Sequence, residues 1–188
     1  EPMPVSKSAA PKGRARQRAE ICTTLESAAD IRSGAKALRR VCPVMRRVHD
    51  LTGDPPLRRN APGFEGLARV VVGQQLSIAS AAAIWNRTAL AVQPFDARTF
   101  LLQDDATLRA AGLSRGKVRT LRAAAEAVTS GALDLDASVP DEALREALIR
   151  VSGIGPWTAD IYTLFCLGRA DGFAAGDLAL QIAAERAF

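Results

Sequence analysis

The stretch that decides the fold spans residues 144–182, LREALIRVSGIGPWTADIYTLFCLGRADGFAAGDLALQI. Its apolar residues recur at helical spacing as far as Val151, stop at a GIG sequence, and resume after Pro156. Glycine allows the positive φ that a tight turn needs, and proline suits the first turn of a helix. We therefore predict a helix, a tight glycine hairpin and a second helix, followed by a loop that carries Asp177.

The predicted hairpin has the features of an anion-binding site. Backbone amides of a glycine turn have no side chain in front of them, and a helix N-terminus carries the positive end of the helix dipole. The sequence therefore predicts contacts to one phosphate group from Gly153, Ile154, Gly155 and Thr158.

The hairpin sequence SGIGPWTAD resembles that of the DNA glycosylase superfamily named for a helix-hairpin-helix and a following Gly/Pro-Asp loop. Two more blocks, PGFEGLARVVVGQQLS at residues 62–77 and AGLSRGKVRTLR at residues 111–122, share the resemblance. It covers roughly residues 57–188 and points to the 3-methyladenine DNA glycosylase II (alkylation repair) branch in its compact form. It implies a monofunctional DNA glycosylase that flips out alkylated purines and hydrolyses their N-glycosidic bond in base excision repair.

Strand signals are nearly absent, so we expect an all-α fold. Helices are expected over residues 21–29 and 35–49, and helices from both ends of the chain should pack into one lobe. The resemblance implies a two-lobed helical bundle with the substrate cleft between the lobes. We expect a disordered basic tail at residues 1–19 and a glycosylase domain at 20–188 that is incomplete at its C-terminus.

Composition limits the function without deciding it. The chain has 188 residues and a formal net charge of +5, which is compatible with nucleic-acid binding but not diagnostic of it. Cys22, Cys42 and Cys166 lack metal-ligand spacing and are interpreted as reduced core thiols. The only histidine, His49, has no visible partner and is interpreted as structural or solvent-facing. No run is long and apolar enough to span a membrane. The cysteine pattern indicates a cytosolic protein, and the Ala/Arg-rich composition points to a GC-rich bacterial genome. We therefore expect a cytoplasmic protein at the bacterial nucleoid, and we expect it to be a monomer.

Cations crowd the start of one predicted helix. Ser114 is a natural N-cap, and Arg115, Lys117 and Arg119 follow it. A helix N-terminus is already positive, so this is an unfavourable place for cations. Contact with DNA phosphates would explain them, and a plain solvated helix face remains the alternative.

Asp177 precedes an apolar helical run, which is the pattern of an ordinary N-cap. The resemblance matches it to the catalytic aspartate of the family, and the two roles are compatible because a helix N-terminus keeps a carboxylate ionised. Cleavage of a base from deoxyribose builds positive charge on the sugar, which an ionised carboxylate stabilises. Asp160 and Asp171 are the competing carboxylates.

The resemblance also assigns the base pocket, to which we attribute Trp157, Gln74 and Ile161. Relatives that also nick the strand have a lysine at the position of Trp157, and tryptophan cannot form their Schiff base. An indole face would instead stack on an electron-poor alkylated purine. The alternative is that Trp157 only fills the core.

The resemblance places Gln75 where a side chain fills the gap left by the flipped base. Relatives often have an apolar wedge there, so Leu76 is the alternative wedge. Both glutamines could also be simple polar residues at a helix interruption.

No redox cofactor is expected. A monovalent cation, Na⁺ or K⁺, is a further implication of the resemblance, held by the backbone carbonyls of Ile149, Val151 and Ile154. The expected partner is double-stranded DNA with damaged bases. Two alternative functions stay open, namely a noncatalytic helix-hairpin-helix module that binds damaged DNA, and a glycosylase for deaminated or mismatched bases.

Overall fold

The structure, a computed structural model, describes residues 24–188 and is all-helical in this part of the chain, as predicted. Its only pairing of β type there is an isolated bridge between Thr24 and Arg169. The helices are α1 (Ala28–Val41), α2 (Pro43–Thr52), α3 (Gly63–Gly73), α4 (Ile78–Ala91), α5 (Ala97–Leu102), α6 (Asp105–Ala110), α7 (Arg115–Thr129), α8 (Asp141–Arg150), α9 (Pro156–Phe165) and α10 (Leu178–Ala187). The predicted disordered tail at residues 1–19 lies outside the described residues.

Short polar side chains define where most of these helices begin. Each accepts a hydrogen bond from a backbone amide of the first turn, which satisfies a group with no partner inside the helix. The capping oxygens belong to Ser27, Ser77, Asp96, Asp104, Ser114 and Asp177. The prediction that Ser114 caps its helix is therefore confirmed.

The first two helices do not have the predicted boundaries. Helix α1 runs from Ala28 to Val41 and α2 from Pro43 to Thr52, whereas the predicted spans were 21–29 and 35–49. A capping box between Ser27 and Asp30 starts α1, and the proline forces the residue before it into an extended conformation. The part of the first predicted span at residues 21–23 lies outside the described residues.

Two further interpretations need correction. His49 has partners, since its Nδ1 lies 2.8 Å from Arg39 Nη1 and its Nε2 lies 2.8 Å from Asp54 Oδ1. Cys166 is a buried free thiol as expected, and burial raises its pKa to about 12. Cys42 is free but only half-buried, because it caps α2 instead of filling the core.

Helices α3 to α7 form one lobe, in which α3 packs on α4 and α7, and α7 packs on α5 and α6. Helix α3 is buried over most of its surface, as its apolar sequence predicts. The aromatic rings of Phe64, Trp85, Phe95 and Phe100 contact one another in this core, with ring centroids 4.8 to 6.3 Å apart. Such packing holds α3 and α4 in a fixed relation.

Helices from both ends of the chain form the second lobe. Helix α1 packs on α2, and α8 packs on α9. Leu25 N donates to Gly168 O at 2.6 Å, and Arg47 Nη2 of α2 donates to Ala187 O at the end of α10. The prediction that the two ends of the chain meet in one lobe is confirmed.

Helix α9 joins the two lobes by packing on α3. The hydroxyl of Tyr162 on α9 is fully buried, accepts from Gly63 N at 2.9 Å and donates to Leu135 O at 3.3 Å. This junction sets the position of the hairpin that precedes α9. No helix in the described part of the chain is long and apolar enough to cross a membrane.

Candidate active site and DNA interface

A cavity of about 940 Å³ lies where the two lobes meet. We call it the cleft. Its walls come from α3 and α4 on one side and from α9, the 172–177 loop and the start of α10 on the other. Trp157, Ile161, Leu76 and Asp177 all line it, so the structure brings together four residues that the sequence analysis placed near the substrate.

Among residues 24–188, Asp177 is the only carboxylate that lines the cleft. Its Oδ1 accepts from Leu180 N at 3.0 Å as the N-cap of α10, and its Oδ2 accepts from Trp157 Nε1 at 2.9 Å. The indole hydrogen bond and then the Leu180 amide lower the pKa of Asp177, because both stabilise the charged form. The contact that caps α10 thus also favours the charged form of the carboxylate, so the capping role of Asp177 is compatible with the predicted catalytic one.

The competing carboxylates are placed differently. Asp160 Oδ1 accepts from Arg145 Nε at 3.0 Å in an ion pair between α9 and α8. Asp171 lies exposed in the loop after α9. Neither residue lines the cleft, so among these three carboxylates only Asp177 does.

Trp157 has two roles in the geometry. Its ring is half-buried and packs against the hydrophobic core, which agrees with the core-filling interpretation. Its indole nitrogen nevertheless reaches Asp177, and its ring lines the cleft beside Ile161. No lysine of residues 24–188 lines the cleft.

Gln74 departs from its predicted place in the base pocket. It does not line the cleft, and its Nε2 donates a 2.8 Å hydrogen bond to the hydroxyl of Thr158, whose side chain is buried. The amide pairs with a buried hydroxyl that would otherwise lack a partner. Gln74 thus ties the α3–α4 loop to the start of α9, and only the backbone of Thr158 is left for a DNA contact.

Gln75 is exposed and has a φ of 56°. It is the one described residue other than glycine with positive φ, a conformation that costs energy for a side chain with a Cβ. Leu76 follows it and is 38% exposed. Both predicted wedge residues therefore lie on the surface beside the cleft.

Lys117 is not free to act as a phosphate contact in the way that the sequence analysis predicted. Its Nζ donates to Val72 O at 2.7 Å and to Gln74 O at 2.9 Å, which caps the C-terminal end of α3. Burial lowers the pKa of its ammonium group. The neighbouring Arg115 and Arg119 are exposed and make no hydrogen bond or ion pair within residues 24–188.

The hairpin packs directly on α7. Gly153 has a φ of 86°, and a Cβ at this position would collide with the hydroxyl of Thr120. The hairpin, the α7 start and the α3–α4 loop are therefore joined by contacts of Gly153, Lys117 and Gln74. We call the exposed surface that they share the hairpin surface, and its residues are Gln75, Leu76, Ser114, Arg115, Arg119 and the 153–155 turn.

The carbonyl groups predicted to hold a cation lie in and before this turn. Val151 O accepts from Ile154 N at 3.0 Å. Within the described residues, the carbonyls of Ile149 and Ile154 accept no hydrogen bond, so both retain their lone pairs for another partner. Backbone carbonyls are suitable ligands for hard monovalent cations, and the three groups are compatible with one.

The cleft also contains residues that the sequence analysis did not single out. Phe173 lies in the loop before Asp177 and is 65% exposed, whereas Arg69 of α3 and Trp85 of α4 line the opposite wall. Arg58 also lines the cleft. Phe173 could have been found as an aromatic residue in an otherwise small and polar loop. No local sequence pattern marks the two arginines as cleft residues, because their position depends on how the lobes meet.

A second cavity of about 580 Å³ lies between α1, α2 and the Pro55–Pro56 segment. It is more apolar than the cleft, and none of the predicted site residues lines it. The cleft is therefore the candidate active site.

This arrangement of hairpin, loop aspartate and interlobe cleft defines a base-excision type of DNA repair protein. Residues 68–188 match the family model of the HhH-GPD superfamily base excision DNA repair protein. The chain belongs to this family.

Comparisons with individual proteins place the similarity in the alkylation branch. The chain is 33% identical to DNA-3-methyladenine glycosylase 1 of Schizosaccharomyces pombe over 127 residues, 63% of this chain and 54% of that protein. It is 29% identical to the alkylbase DNA glycosidase-like protein of the same yeast over 140 residues, 71% of this chain and 65% of that protein. The chain thus spans between half and two thirds of the length of these curated relatives.

The fold agrees with that of a solved relative. A 3-methyladenine DNA glycosylase of Schizosaccharomyces pombe, in complex with abasic DNA, superimposes with a TM-score of 0.74 and 27% identity. That match covers 82% of this chain and 80% of the other.

Proposed function

We propose that this protein is a monofunctional DNA glycosylase that hydrolyses the N-glycosidic bond of alkylated purines in double-stranded DNA. The observation that carries this proposal is a single ionised carboxylate, Asp177, held by the Trp157 indole in a cleft large enough for a nucleotide. The family and the relatives named as 3-methyladenine glycosylases support it.

The chemistry follows from the charge in the cleft. As the bond from the base to C1′ lengthens, positive charge builds on the deoxyribose, and the Asp177 carboxylate stabilises it. The same carboxylate orients and deprotonates the attacking water. An alkylated purine already carries positive charge and leaves readily, so no second acid is required.

The proposed reaction ends at an abasic site with an intact backbone. A lyase reaction needs an amine that forms a Schiff base with the sugar, and no lysine in the described part of the chain lines the cleft. Trp157 and Phe173 supply aromatic faces on which an electron-poor base can stack. Ile161 completes the apolar part of the pocket.

The hairpin surface is the proposed DNA-binding site. The backbone amides of the 153–155 turn and the start of α9 bind one phosphate, and Arg115 and Arg119 add further phosphate contacts. Gln75 or Leu76 fills the gap left by the flipped base. A Na⁺ or K⁺ ion on the carbonyls of Ile149, Val151 and Ile154 would add positive charge next to the bound phosphate.

We further propose that the protein acts as a monomer on damaged chromosomal DNA in the bacterial nucleoid. No redox cofactor is required for hydrolysis of an N-glycosidic bond. A deaminated or mismatched base is the alternative substrate class, and its excision would depend on the shape of the pocket around Trp157.

The test uses a duplex with one purine methylated at N3 or N7, which carries the positive charge that the mechanism requires, and a second duplex with one hypoxanthine, which represents the alternative substrate class. Products of the wild type and of Asp177→Asn are separated with and without alkaline treatment. We expect strand breaks only after alkali, and a loss of at least about 100-fold in Asp177→Asn with DNA binding retained. Breaks without alkali would identify a lyase, and binding without excision would favour the noncatalytic module.

A further inference from the structure

Arg69 of α3 lies in the wall of the cleft without an anionic partner. Its guanidinium carbon is 5.3 Å from the ring centroid of Trp85. Within residues 24–188 it makes no ion pair and no hydrogen bond. Nearby arginines differ, since Arg59 donates to Leu25 O and Cys166 O, and Arg87 donates to Ala111 O.

The indole beneath Arg69 is a fixed platform. Trp85 is only 6% exposed, and its ring centroid lies 4.8 Å from that of Phe95 in the aromatic core. A guanidinium over an aromatic face is attracted to it and keeps its N–H donors available for an oxygen ligand. The cation is therefore positioned in advance, which lowers the entropy lost when a ligand binds.

The charge of the cleft favours an anion at this wall. In the described part of the chain, its charged lining residues are two arginines, Arg58 and Arg69, and one carboxylate, Asp177. An ionised carboxylate alone would repel the phosphates that must enter the cleft with an extruded nucleotide. A cation on the opposite wall offsets that repulsion, and guanidinium groups bind phosphate oxygens in a bidentate manner.

We propose that Arg69, supported by Trp85, binds a backbone phosphate next to the nucleotide whose base is excised. This inference rests on the proposed glycosylase function and adds a phosphate contact inside the cleft, separate from the hairpin surface. Arg58 also lines the cleft and is exposed, so it adds to the positive charge of the cleft. The contact places the sugar of the extruded nucleotide between Arg69 and Asp177.

The salt dependence of binding tests this contact directly. Affinity for a duplex with one tetrahydrofuran abasic analogue is measured by fluorescence anisotropy over a series of KCl concentrations. Loss of one phosphate contact lowers the slope of log K against log[salt] by about 0.9. We expect this change in Arg69→Met, with a loss of affinity of roughly tenfold at low salt, and a retained slope in Arg69→Lys.

Arg98→Met is the matched control, because it removes the same charge from a different place. Arg98 is exposed on α5 and does not line the cleft. It should keep the wild-type slope. Thermal unfolding and near-ultraviolet circular dichroism show whether Arg69→Met leaves the packing of Trp85 intact. An unchanged slope in a folded Arg69→Met variant would overturn the proposal.

Chemical changes in the DNA identify the group that Arg69 contacts. Replacing one flanking phosphate by a methylphosphonate should weaken wild-type binding and have little further effect on Arg69→Met. In an Asp177→Asn background, Arg69→Met should weaken binding to a duplex with an intact hypoxanthine by the same factor as it weakens binding to the abasic duplex. A loss seen only with the intact base would place the guanidinium on the base edge and overturn the phosphate assignment.

The two proposals fail in different ways. Wild-type protein that shows the Arg69-dependent slope but excises no base would disprove the glycosylase function and retain the phosphate contact. Base excision together with a salt slope that does not depend on Arg69 would support the glycosylase function and disprove the phosphate contact. Wild-type protein that neither binds the abasic duplex nor excises a base would disprove both.

Discussion

The indole nitrogen of Trp157 donates a 2.9 Å hydrogen bond to Oδ2 of Asp177, while Oδ1 of the same carboxylate caps α10 through Leu180 N. Each carboxylate oxygen therefore has one fixed donor. Two donors from different helices restrict rotation of the carboxylate and favour its charged form. The side chain that the sequence resemblance relates to base stacking is also the group that orients the proposed catalytic carboxylate.

Trp157→Phe should keep an aromatic ring in the cleft and remove the hydrogen bond. Because the indole N–H lowers the pKa of Asp177, its loss should raise that pKa. The ionised form is the active one, so the acidic limb of the rate profile should move to higher pH. At neutral pH we expect about a tenfold slower single-turnover excision, the usual effect of losing one hydrogen bond to a charged group.

The measurement is the single-turnover rate of base release from about pH 3 to pH 7, at an enzyme concentration that saturates the DNA. This range extends below the ordinary pKa of an aspartate, where the acidic limb of the profile lies. Leu180 still donates to Asp177 in this variant, so some depression of the pKa should remain. A profile identical to that of the wild type would mean that the indole acts only through its ring.

Replacements of Asp177 should separate its structural role from its chemical one. Asparagine caps helices about as well as aspartate, whereas alanine costs about 1 kcal/mol. Asp177→Asn and Asp177→Ala should both lose excision, but only Asp177→Ala should lower the midpoint of chemical denaturation. Faster amide hydrogen exchange at Leu180 in Asp177→Ala alone would locate the effect at the start of α10.

Much of the site could be predicted because local sequence determines it. The hairpin needs glycine at a positive φ and proline at the start of α9, and both requirements are visible in the chain. Ser114 and Asp177 are caps that short polar residues before helical runs indicate. Trp157 and Asp177 were both identified, but not the hydrogen bond between them, which depends on how the 166–177 loop returns to α9.

The residues that sequence did not place correctly are those whose partners are far away in the chain. Lys117 was interpreted as a phosphate contact, yet its ammonium group caps the end of α3. It donates to Gln74 O, which lies 43 residues earlier in the chain. Gln74 was assigned to the pocket, yet it pairs with Thr158, 84 residues later. In the sequence, Arg69 is a single charged residue in an otherwise apolar helix. Its place in the cleft depends on the packing of the two lobes.

Lys117→Met should therefore behave as a structural variant. It retains most of the aliphatic stem and removes the donor from Val72 O and Gln74 O. We expect a loss of about 1 to 3 kcal/mol in the free energy of unfolding, the usual cost of leaving such groups unpaired. Chemical denaturation measures this loss.

Arg119→Met provides the comparison, because Arg119 is exposed on the same helix. It should leave the free energy of unfolding within about 0.5 kcal/mol of the wild type and lower the salt slope of DNA binding by about one. Equal stability in Lys117→Met and Arg119→Met would show that the Lys117 contacts do not contribute to folding.

Gly153→Ala should disturb the contact between the hairpin and α7. The residue has a φ of 86°, and the added methyl group would collide with the Thr120 hydroxyl. Backbone strain and collision together should lower the free energy of unfolding by more than about 1 kcal/mol. The displaced hairpin amides should also weaken binding to an abasic duplex.

A double-mutant cycle separates the two causes, because Thr120→Ala removes the colliding hydroxyl and leaves the strain at position 153. Gly153→Ala should lower the free energy of unfolding less in the Thr120→Ala variant than in the wild type, with a difference of about 0.5 kcal/mol or more. Part of the DNA affinity should return in the double variant, since the hairpin can approach its original position. If the two substitutions are strictly additive in both stability and binding, the hairpin does not depend on its close approach to Thr120.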